Sequence, residues 1–224
     1  MTKNNTGLAD QTYEYILNMI MTKQLMPGER IPEAKIAKEF GISRSPVRDA
    51  MKRLANEGLI CIYPGRFAQV AEYDENAFRD IGTLRVALDT MSVKLALLYG
   101  SQLDFIRLKE IAQNCMDAKQ KNNYTLRRKL DSDFHLELAR MSQNKLLLKF
   151  QNELYLRVQF LILHFPNEVE DERCHLEQHL EIAEALSAHD EEKALSTIQN
   201  HLTSFYNLRE QFPDNFFSNA DPYS

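Results

Sequence analysis

The sequence predicts a mainly α-helical protein: an N-terminal winged helix-turn-helix of three helices and a β-hairpin, followed by an all-α antiparallel helical bundle. Apolar residues recur at helical spacing along most of the 224 residues. Two short β-rich runs, LICIY and FAQVA, are joined by the turn PGR, and no strand pattern follows beyond about residue 73. We therefore expect domains at 1–72 and 73–212, with a loose tail at 213–224.

The first two predicted helices end at turn residues, and the second is short. Tyr13, Ile16, Leu17 and Ile20 recur at i, i+3, i+4 and i+7, and the turn MPGER at 26–30 ends this pattern. EAKIAKEF forms a second helix, and Gly41 suits the left-handed position just beyond its end.

The third predicted helix has two distinct faces. Either Ser43 or Ser45 can cap its start, and Pro46 is tolerated in a first turn. A buried face is predicted from spacing i, i+3, i+4 and i+7, at Val47, Ala50, Met51 and Leu54. Basic residues spaced by four lie on another face: Arg44, Arg48 and Lys52.

The second domain is predicted from helical runs separated by short polar joints such as QKNN and SQN. Asp74 can cap a helix that ends at Tyr99 before Gly100. Further helices are expected near 102–121, 125–142, 145–165, 169–188 and 190–211.

Composition excludes several classes of protein. No run of apolar residues is long enough to cross a bilayer, so we expect a soluble, cytoplasmic protein without a membrane partner. Three separated cysteines indicate neither a disulfide framework nor a thiolate zinc cluster. The net charge is −5, yet residues 43–66 hold five basic and two acidic side chains. This positive patch coincides with the third helix.

A helix that carries arginines at its N-terminus, after a packed helix and a tight turn, has the geometry that enters the DNA major groove. Arginine suits both guanine edges and phosphates. The alternative is a solvated basic face on a small helical domain. The turn, the cap and the wing together favour DNA binding.

A second candidate site is spread over three helices. Asp131 and His135 are four residues apart and so share a helix face, while His179 and His201 lie in later helices. A single buried histidine is usually a hydrogen-bonding core residue. Three imidazoles and a carboxylate that converge in a bundle would instead bind a divalent metal, but spacing alone leaves convergence open.

MPGERI and KIAKEFGISRSPVRDAMKRLANEGLI resemble the N-terminal domain of GntR-superfamily transcription regulators over about residues 10–71. The resemblance implies that Arg30, Arg44 and Arg48 contact operator phosphates and bases, with Ser43 and Ser45 flanking the helix entrance. It also implies a wing contact at Arg66. Phe67 follows Arg66 where glycine is usual, which departs from the family pattern.

DSDFH, EQHLEIAEAL and the later NHL resemble the all-helical FCD ligand-binding domain of the FadR branch over about residues 74–212. In its metal-binding members an aspartate and three histidines hold the ion. These positions correspond to Asp131, His135, His179 and His201. Zinc and nickel are the expected metals, since imidazole suits both.

The same resemblance places Arg85 where an effector carboxylate could be bound, with Asp89 in place of the usual glutamate. Arg157 is a second candidate for this role, and a plain surface ion pair is the alternative for either arginine. His175, one turn before His179, is expected at the surface. His164 and His189 have no partner that the sequence identifies.

These features together predict a ligand-responsive transcription regulator, a repressor more often than an activator in such families. It would act as a homodimer on double-stranded operator DNA with an inverted repeat, because two-fold symmetry doubles the contacts of one recognition helix. A metal-assisted site in the bundle would bind a small carboxylate effector. Two alternatives are a regulator that senses the metal itself and a metalloenzyme with a DNA-binding module.

Overall fold

The computed structural model describes residues 3–164, 172–213 and 216–217, and the side chains of all of these except 3–6 and 172–174. Within these residues the chain forms nine helices and one two-stranded antiparallel sheet. The first helices and the strands are α1 (Lys3–Met21), α2 (Glu33–Phe40), α3 (Arg44–Asn56), β1 (Ile60–Tyr63) and β2 (Phe67–Val70). The later helices are α4 (Glu75–Tyr99), α5 (Gln102–Gln120), α6 (Tyr124–Met141), α7 (Lys145–His164), α8 (Glu172–Ser187) and α9 (Glu191–Phe205).

The chain divides into two compact units. The first contains the residues up to Asp74 and the last turns of α7 from Leu156 onwards. The second contains Glu75–Tyr155 and the described residues from α8 onwards. The first unit therefore joins two separate parts of the chain, an arrangement that the sequence did not indicate.

In the first unit, α1, α2 and β1 all pack on α3. The core includes Ile16, Ile20, Val47 and Leu54, all of them without solvent exposure. The apolar faces predicted for the first and third helices are thus the faces that are buried. Since this packing fixes the rotation of α3, it also decides which residues of α3 remain at the surface.

The turn between α2 and α3 confirms the prediction for the end of α2 but not the one for the start of α3. Gly41 ends α2 in the left-handed conformation, with φ of 63°. Ser43 occupies the N-cap position of α3, but its hydroxyl accepts no capping hydrogen bond. The predicted side-chain cap, from either Ser43 or Ser45, is therefore not formed, and Ser43 is left exposed.

The β-hairpin is formed as predicted. Ile60 pairs with Val70 and Tyr63 with Phe67, and the amide of Arg66 donates to the carbonyl of Tyr63 over 3.0 Å. The turn needs a left-handed residue, and Gly65 has φ of 70°. The hairpin thus presents Arg66 at its tip.

In the second unit, α5 packs against α6 and α8, α4 packs against α6 and α9, and α8 packs against α9. One glycine allows an especially close approach. A Cβ atom on Gly82 of α4 would lie 2.6 Å from the ring of Tyr206, just after α9. A glycine at this position therefore lets Tyr206 enter the space beside α4.

Helix α9 ends at Phe205, six residues before the predicted end at 211. Asn207 takes a left-handed conformation with φ of 50°, and the amide of Leu208 donates back to the carbonyl of Thr203 over 2.9 Å. This backbone reversal stops the helix where the apolar pattern alone would extend it. Most of the predicted tail, residues 214–215 and 218–224, lies outside the described residues.

None of the helices in the described part of the chain is both long enough and apolar enough to cross a membrane. Of the cysteines with described side chains, Cys61 is exposed and Cys115 is buried, and both are free thiols.

Candidate metal and DNA-binding sites

Three buried histidines from three helices meet inside the second unit. His135 comes from α6, His179 from α8 and His201 from α9, and their exposed fractions are 0%, 0% and 1%. One ring nitrogen of each lies within 4.8 Å of the others. We call these residues the histidine triad. The convergence that spacing left open is therefore present in the structure.

The Nε2 atoms of His179 and His201 are 3.1 Å apart. The Nδ1 atom of His201 lies 3.3 Å from the amide oxygen of Gln178. Because that oxygen can only accept a hydrogen bond, it selects the His201 tautomer that is protonated on Nδ1. In this tautomer Nε2 carries a lone pair. A lone pair aimed into the triad is what a metal ligand requires.

His135 lies beside a carboxylate. Its Nδ1 lies 3.5 Å from Oδ1 of Asp89, and neither ring nitrogen has a hydrogen-bond partner among the described residues. A carboxylate beside Nδ1 favours a proton there and leaves Nε2 as a donor of electrons. A buried Nε2 without a hydrogen-bond partner among the described residues fits a site that binds a cation.

The protonation states of His179 and His201 suit metal binding. Burial lowers the pKa of His179 and of His201 well below the ordinary value of 6.5. Both rings are therefore neutral at neutral pH, the form in which an imidazole nitrogen can bind a metal.

Asp131 lies beside the triad, with Oδ1 3.7 Å from Nε2 of His179. Burial would raise the pKa of Asp131, but the neighbouring His179, His135 and Arg85 lower it below 3.8. The carboxyl group is thus ionised and able to act as a fourth ligand. The structure brings the three histidines together and places Asp131 beside one of them.

The expectation that His175 lies at the surface is wrong. Its ring stacks on that of His201, with centroids 4.0 Å apart, and on that of Phe205 at 5.1 Å. Burial lowers the pKa of His175 to about 4. Because i and i+4 positions share a helix face, the residue one turn before His179 covers the same site.

The remaining histidines have structural partners. Nε2 of His164 lies 3.1 Å from the carbonyl oxygen of Ile20. His189 has φ of 54° and sets its ring edge-on to Phe105 at 5.8 Å. Neither belongs to the triad.

A second buried group of residues surrounds Arg85, whose exposed fraction is 2%. One terminal nitrogen donates to the hydroxyl of Tyr206 over 3.2 Å and the other donates to the hydroxyl of Tyr155. Its Nε lies 3.5 Å from Oδ2 of Asp89, and Oδ1 of Asp89 accepts from the amide nitrogen of Gln151 over 2.8 Å. We call these five residues the arginine cluster. Asp89 connects it to the triad through His135.

Arg157 occupies a different place from the one expected of an effector ligand. In the first unit its Nε donates to the carbonyl of Glu57 over 2.8 Å, and a terminal nitrogen donates to that of Asn56 over 3.1 Å. These carbonyls belong to the C-terminal end of α3, where a cation is favourable. Among the described residues, Arg157 forms no ion pair, so its contacts are with backbone carbonyls and not with a carboxylate side chain.

The N-terminal end of α3 presents the residues predicted to read DNA. Ser43, Arg44 and Ser45 are exposed, as is Arg48 in the next turn. Arg44 forms no ion pair with any described residue, whereas Nε of Arg48 lies 2.9 Å from Glu33 of α2. A side chain with no competing partner is free to contact a phosphate or a base edge.

The wing supports a second basic group. The guanidinium of Arg30 stacks over the ring of Phe67 at 4.2 Å, and that of Arg66 lies 5.7 Å from the same ring. Tyr63 packs against Phe67 from the paired strand at 4.7 Å. Phe67, the departure from the family pattern, therefore holds the two predicted arginines near each other.

Sequence reasoning missed the polar residues that orient the site: Gln151, Tyr155, Gln178 and Tyr206. The only signal for Gln178 is that it directly precedes a candidate ligand. Gln151 and Tyr155 share a face of α7 at i and i+4, but nothing in the sequence indicates that this face meets an arginine from α4.

This combination of a winged helix-turn-helix and a helical domain with a buried histidine site defines a class of DNA-binding regulator. The sequence matches the family described as bacterial regulatory proteins, gntR family, over residues 8–70 and the FCD domain over residues 80–204. The chain belongs to the gntR family of bacterial transcription regulators and carries an FCD domain. Regulators of this family bind operator DNA, and some FCD domains bind metals.

Individual relatives agree with this assignment. The Nta operon transcriptional regulator of Aminobacter aminovorans is 29% identical over 190 residues, covering 84% of this chain and 88% of that protein. A probable D-xylose utilization operon transcriptional repressor of Paenarthrobacter nicotinovorans is 27% identical over 89% of this chain and 88% of its own length. The solved structure of E. coli McbR/YncC shares the fold with a TM-score of 0.73 at 23% identity, covering 91% of this chain and 97% of that one. Since the family and these relatives regulate transcription, the metalloenzyme alternative is excluded.

Proposed function

We propose that this protein is a repressor of the FadR branch that acts as a homodimer on an inverted-repeat operator and responds to a small carboxylate bound beside a divalent metal. The observation that carries the proposal is the facing pair of Nε2 atoms of His179 and His201, 3.1 Å apart in a buried triad. Two lone pairs at this distance repel each other unless a cation or a proton lies between them. Burial lowers the pKa of both rings, so both are neutral and each can offer a nitrogen lone pair to a metal.

Asp131, His135, His179 and His201 would hold the ion, with zinc or nickel as the expected metal. Three imidazole nitrogens and one carboxylate oxygen suit either. Such a metal would supply open coordination positions at which a carboxylate can bind. Asp89 and Gln178 would hold the rings of His135 and His201 in orientation, as outer partners of metal ligands commonly do.

Arg85 supports the carboxylate part of the proposal. A guanidinium has five N–H groups, of which the two tyrosine hydroxyls use two. The remaining donors include Nε beside Asp89. A buried cation with unused donors favours an anionic partner, and Asp89 provides only half of the bidentate geometry that arginine prefers.

The homodimer is supported by the outer face of α4. Three apolar side chains on this face are spaced seven residues apart and are exposed by 48%, 48% and 69%: Leu84, Met91 and Leu98. Apolar residues at this interval form a stripe along one side of a helix. Such a stripe is typical of helices that pack side by side against a partner helix. We infer that this α4 stripe packs on its counterpart in a second copy.

Helix α7 offers a route from the effector to DNA. It is unbroken from Lys145 to His164. Its earlier turns supply Gln151 and Tyr155 to the arginine cluster, and Arg157 then bonds the carbonyls at the end of the recognition helix α3. A shift of α7 on effector binding would therefore reach α3 through a residue that is two positions from Tyr155. The choice of a repressor is supported by the Paenarthrobacter nicotinovorans relative, a probable transcriptional repressor.

The test uses full-length protein, stripped of metal and then reloaded with zinc or nickel, and a double-stranded operator obtained by selection from random DNA. We expect operator affinity to fall when a small carboxylate such as succinate is added to the metal-loaded protein, and to be unaffected by succinate in the stripped protein. A change in operator affinity caused by metal alone, with no effect of any carboxylate, would favour the metal-sensing alternative. No sequence-selective binding at all would contradict the DNA-binding assignment.

A further inference from the structure

The arginine cluster contains two buried acceptor atoms that lack a donor. Gln151 is fully buried, and its Oε1 has no hydrogen-bond partner among the described residues. Oδ2 of Asp89 accepts no hydrogen bond from a described residue either, and it lies 3.5 Å from Nε of Arg85 in an ion pair. A buried acceptor left without a donor is costly, so such atoms in a binding site indicate a ligand that donates.

The orientation of the Gln151 amide is fixed by its neighbour. Its nitrogen donates to Oδ1 of Asp89 over 2.8 Å. A carboxylate can only accept, so the opposite orientation would place two acceptors against each other. Oε1 therefore faces away from Asp89, and this direction follows from chemistry.

We propose that Gln151 is a specificity-determining residue whose Oε1 accepts a hydrogen bond from a hydroxyl group of the effector, so that the effector is a hydroxy acid. This inference rests on the proposed function, because it assumes that a carboxylate binds beside Arg85 and the histidine triad. It adds to that function a second chemical group of the effector, the hydroxyl, and the residue that recognises it, Gln151.

A hydroxyl group fits the surroundings better than an ammonium group. Both are donors, but an ammonium group would lie beside the Arg85 guanidinium, whose charge Asp89 already balances. Like charges in a buried site repel each other strongly. A neutral hydroxyl supplies the missing donor without adding charge, and an acid that lacks it leaves Oε1 of Gln151 unpaired.

The experiment is isothermal titration calorimetry of the full-length, metal-loaded protein with two pairs of acids that differ by one hydroxyl group: lactate with propionate, and malate with succinate. We expect the hydroxy acid of at least one pair to bind at least about tenfold more tightly than its partner. In Gln151→Met, which is similar in length but has no amide, this preference should fall to within about twofold. Gln113→Met, on the exposed face of α5, should keep the wild-type preference.

The outcomes distinguish a failure of the role of Gln151 from a failure of the proposed carboxylate site. If both members of each pair bind wild-type protein equally well, the carboxylate site stands and the role of Gln151 is overturned. A preference that persists in Gln151→Met overturns it too. If none of the four acids binds the metal-loaded protein, the carboxylate effector itself is contradicted. Should Gln151→Met fail to fold, the wild-type comparison and the smaller change Gln151→Leu still decide the question.

Discussion

His179 and His201 face each other through their Nε2 atoms at 3.1 Å, although they are 22 residues apart and come from different helices. Gln178 fixes the tautomer of His201, and Asp89 lies beside His135, the third member of the triad. One ring nitrogen of each histidine lies within 4.8 Å of the others, and a neighbour fixes the orientation of the His201 ring. Such preorganisation reduces the cost of assembling a metal site.

We expect His201→Ala to remove the metal from the purified protein. The substitution deletes one of three convergent nitrogens, and the remaining ligands cannot complete a tetrahedral site. Metal content measured by inductively coupled plasma mass spectrometry checks this, and His189→Ala serves as the control because His189 lies outside the triad. Full metal occupancy in His201→Ala would show that His201 is not a metal ligand.

We expect Arg44→Ala to abolish specific operator binding. The side chain is exposed at the start of α3 and forms no ion pair with a described residue, so its loss leaves the fold intact. Loss of a base or phosphate contact costs about 1–3 kcal/mol in each half-site. Fluorescence anisotropy with labelled operator measures the change, with Lys109→Ala on α5 as the control. Unchanged sequence-specific affinity would show that Arg44 does not read DNA.

We expect Met91→Glu, or the double change Met91→Glu with Leu98→Glu, to convert the dimer into monomers. A carboxylate in the middle of the α4 stripe would be buried without a partner in the dimer, at a large desolvation cost. Size-exclusion chromatography with light scattering gives the molar mass. Leu126→Glu, an exposed apolar residue on α6, should leave the dimer unchanged. If both variants remain dimers, the interface lies elsewhere.

We expect Asp104→Ala to destabilise the second unit in a pH-dependent way. Hydrogen bonds from Ser101 and Arg140 lower the pKa of Asp104 from 3.8 to about 2. A lowered folded-state pKa means that the ionised carboxylate stabilises the fold above about pH 4, and that this stabilisation is lost as the pH falls towards 2.

The capping box that Asp104 forms with Ser101 contributes about 1 kcal/mol. Thermal denaturation should therefore show a lower midpoint for Asp104→Ala than for wild type at neutral pH, and the gap should narrow below about pH 4. Glu110→Ala, on the exposed face of the same helix, is the control. A gap that stays constant with pH would mean that the carboxylate charge contributes nothing.

Local patterns determined much of the fold. The faces Val47, Ala50, Met51 and Leu54 of α3 and the hairpin around Gly65 were predictable, because periodicity and turn chemistry depend on neighbours in the sequence. The end of α9 was not. Its apolar pattern continues past Phe205, whereas the helix stops at the left-handed conformation of Asn207, which periodicity does not indicate.

The sequence by itself determined the two kinds of domain, the arginines at the head of a recognition helix, and the family pattern of one aspartate and three histidines. Tertiary structure decided which side chains meet: His175 against His201, Arg157 on the carbonyls of α3, and Gln151 on Asp89. The physical reason is that helix periodicity gives the direction of a side chain within its own helix, whereas contacts between helices depend on how their faces pack.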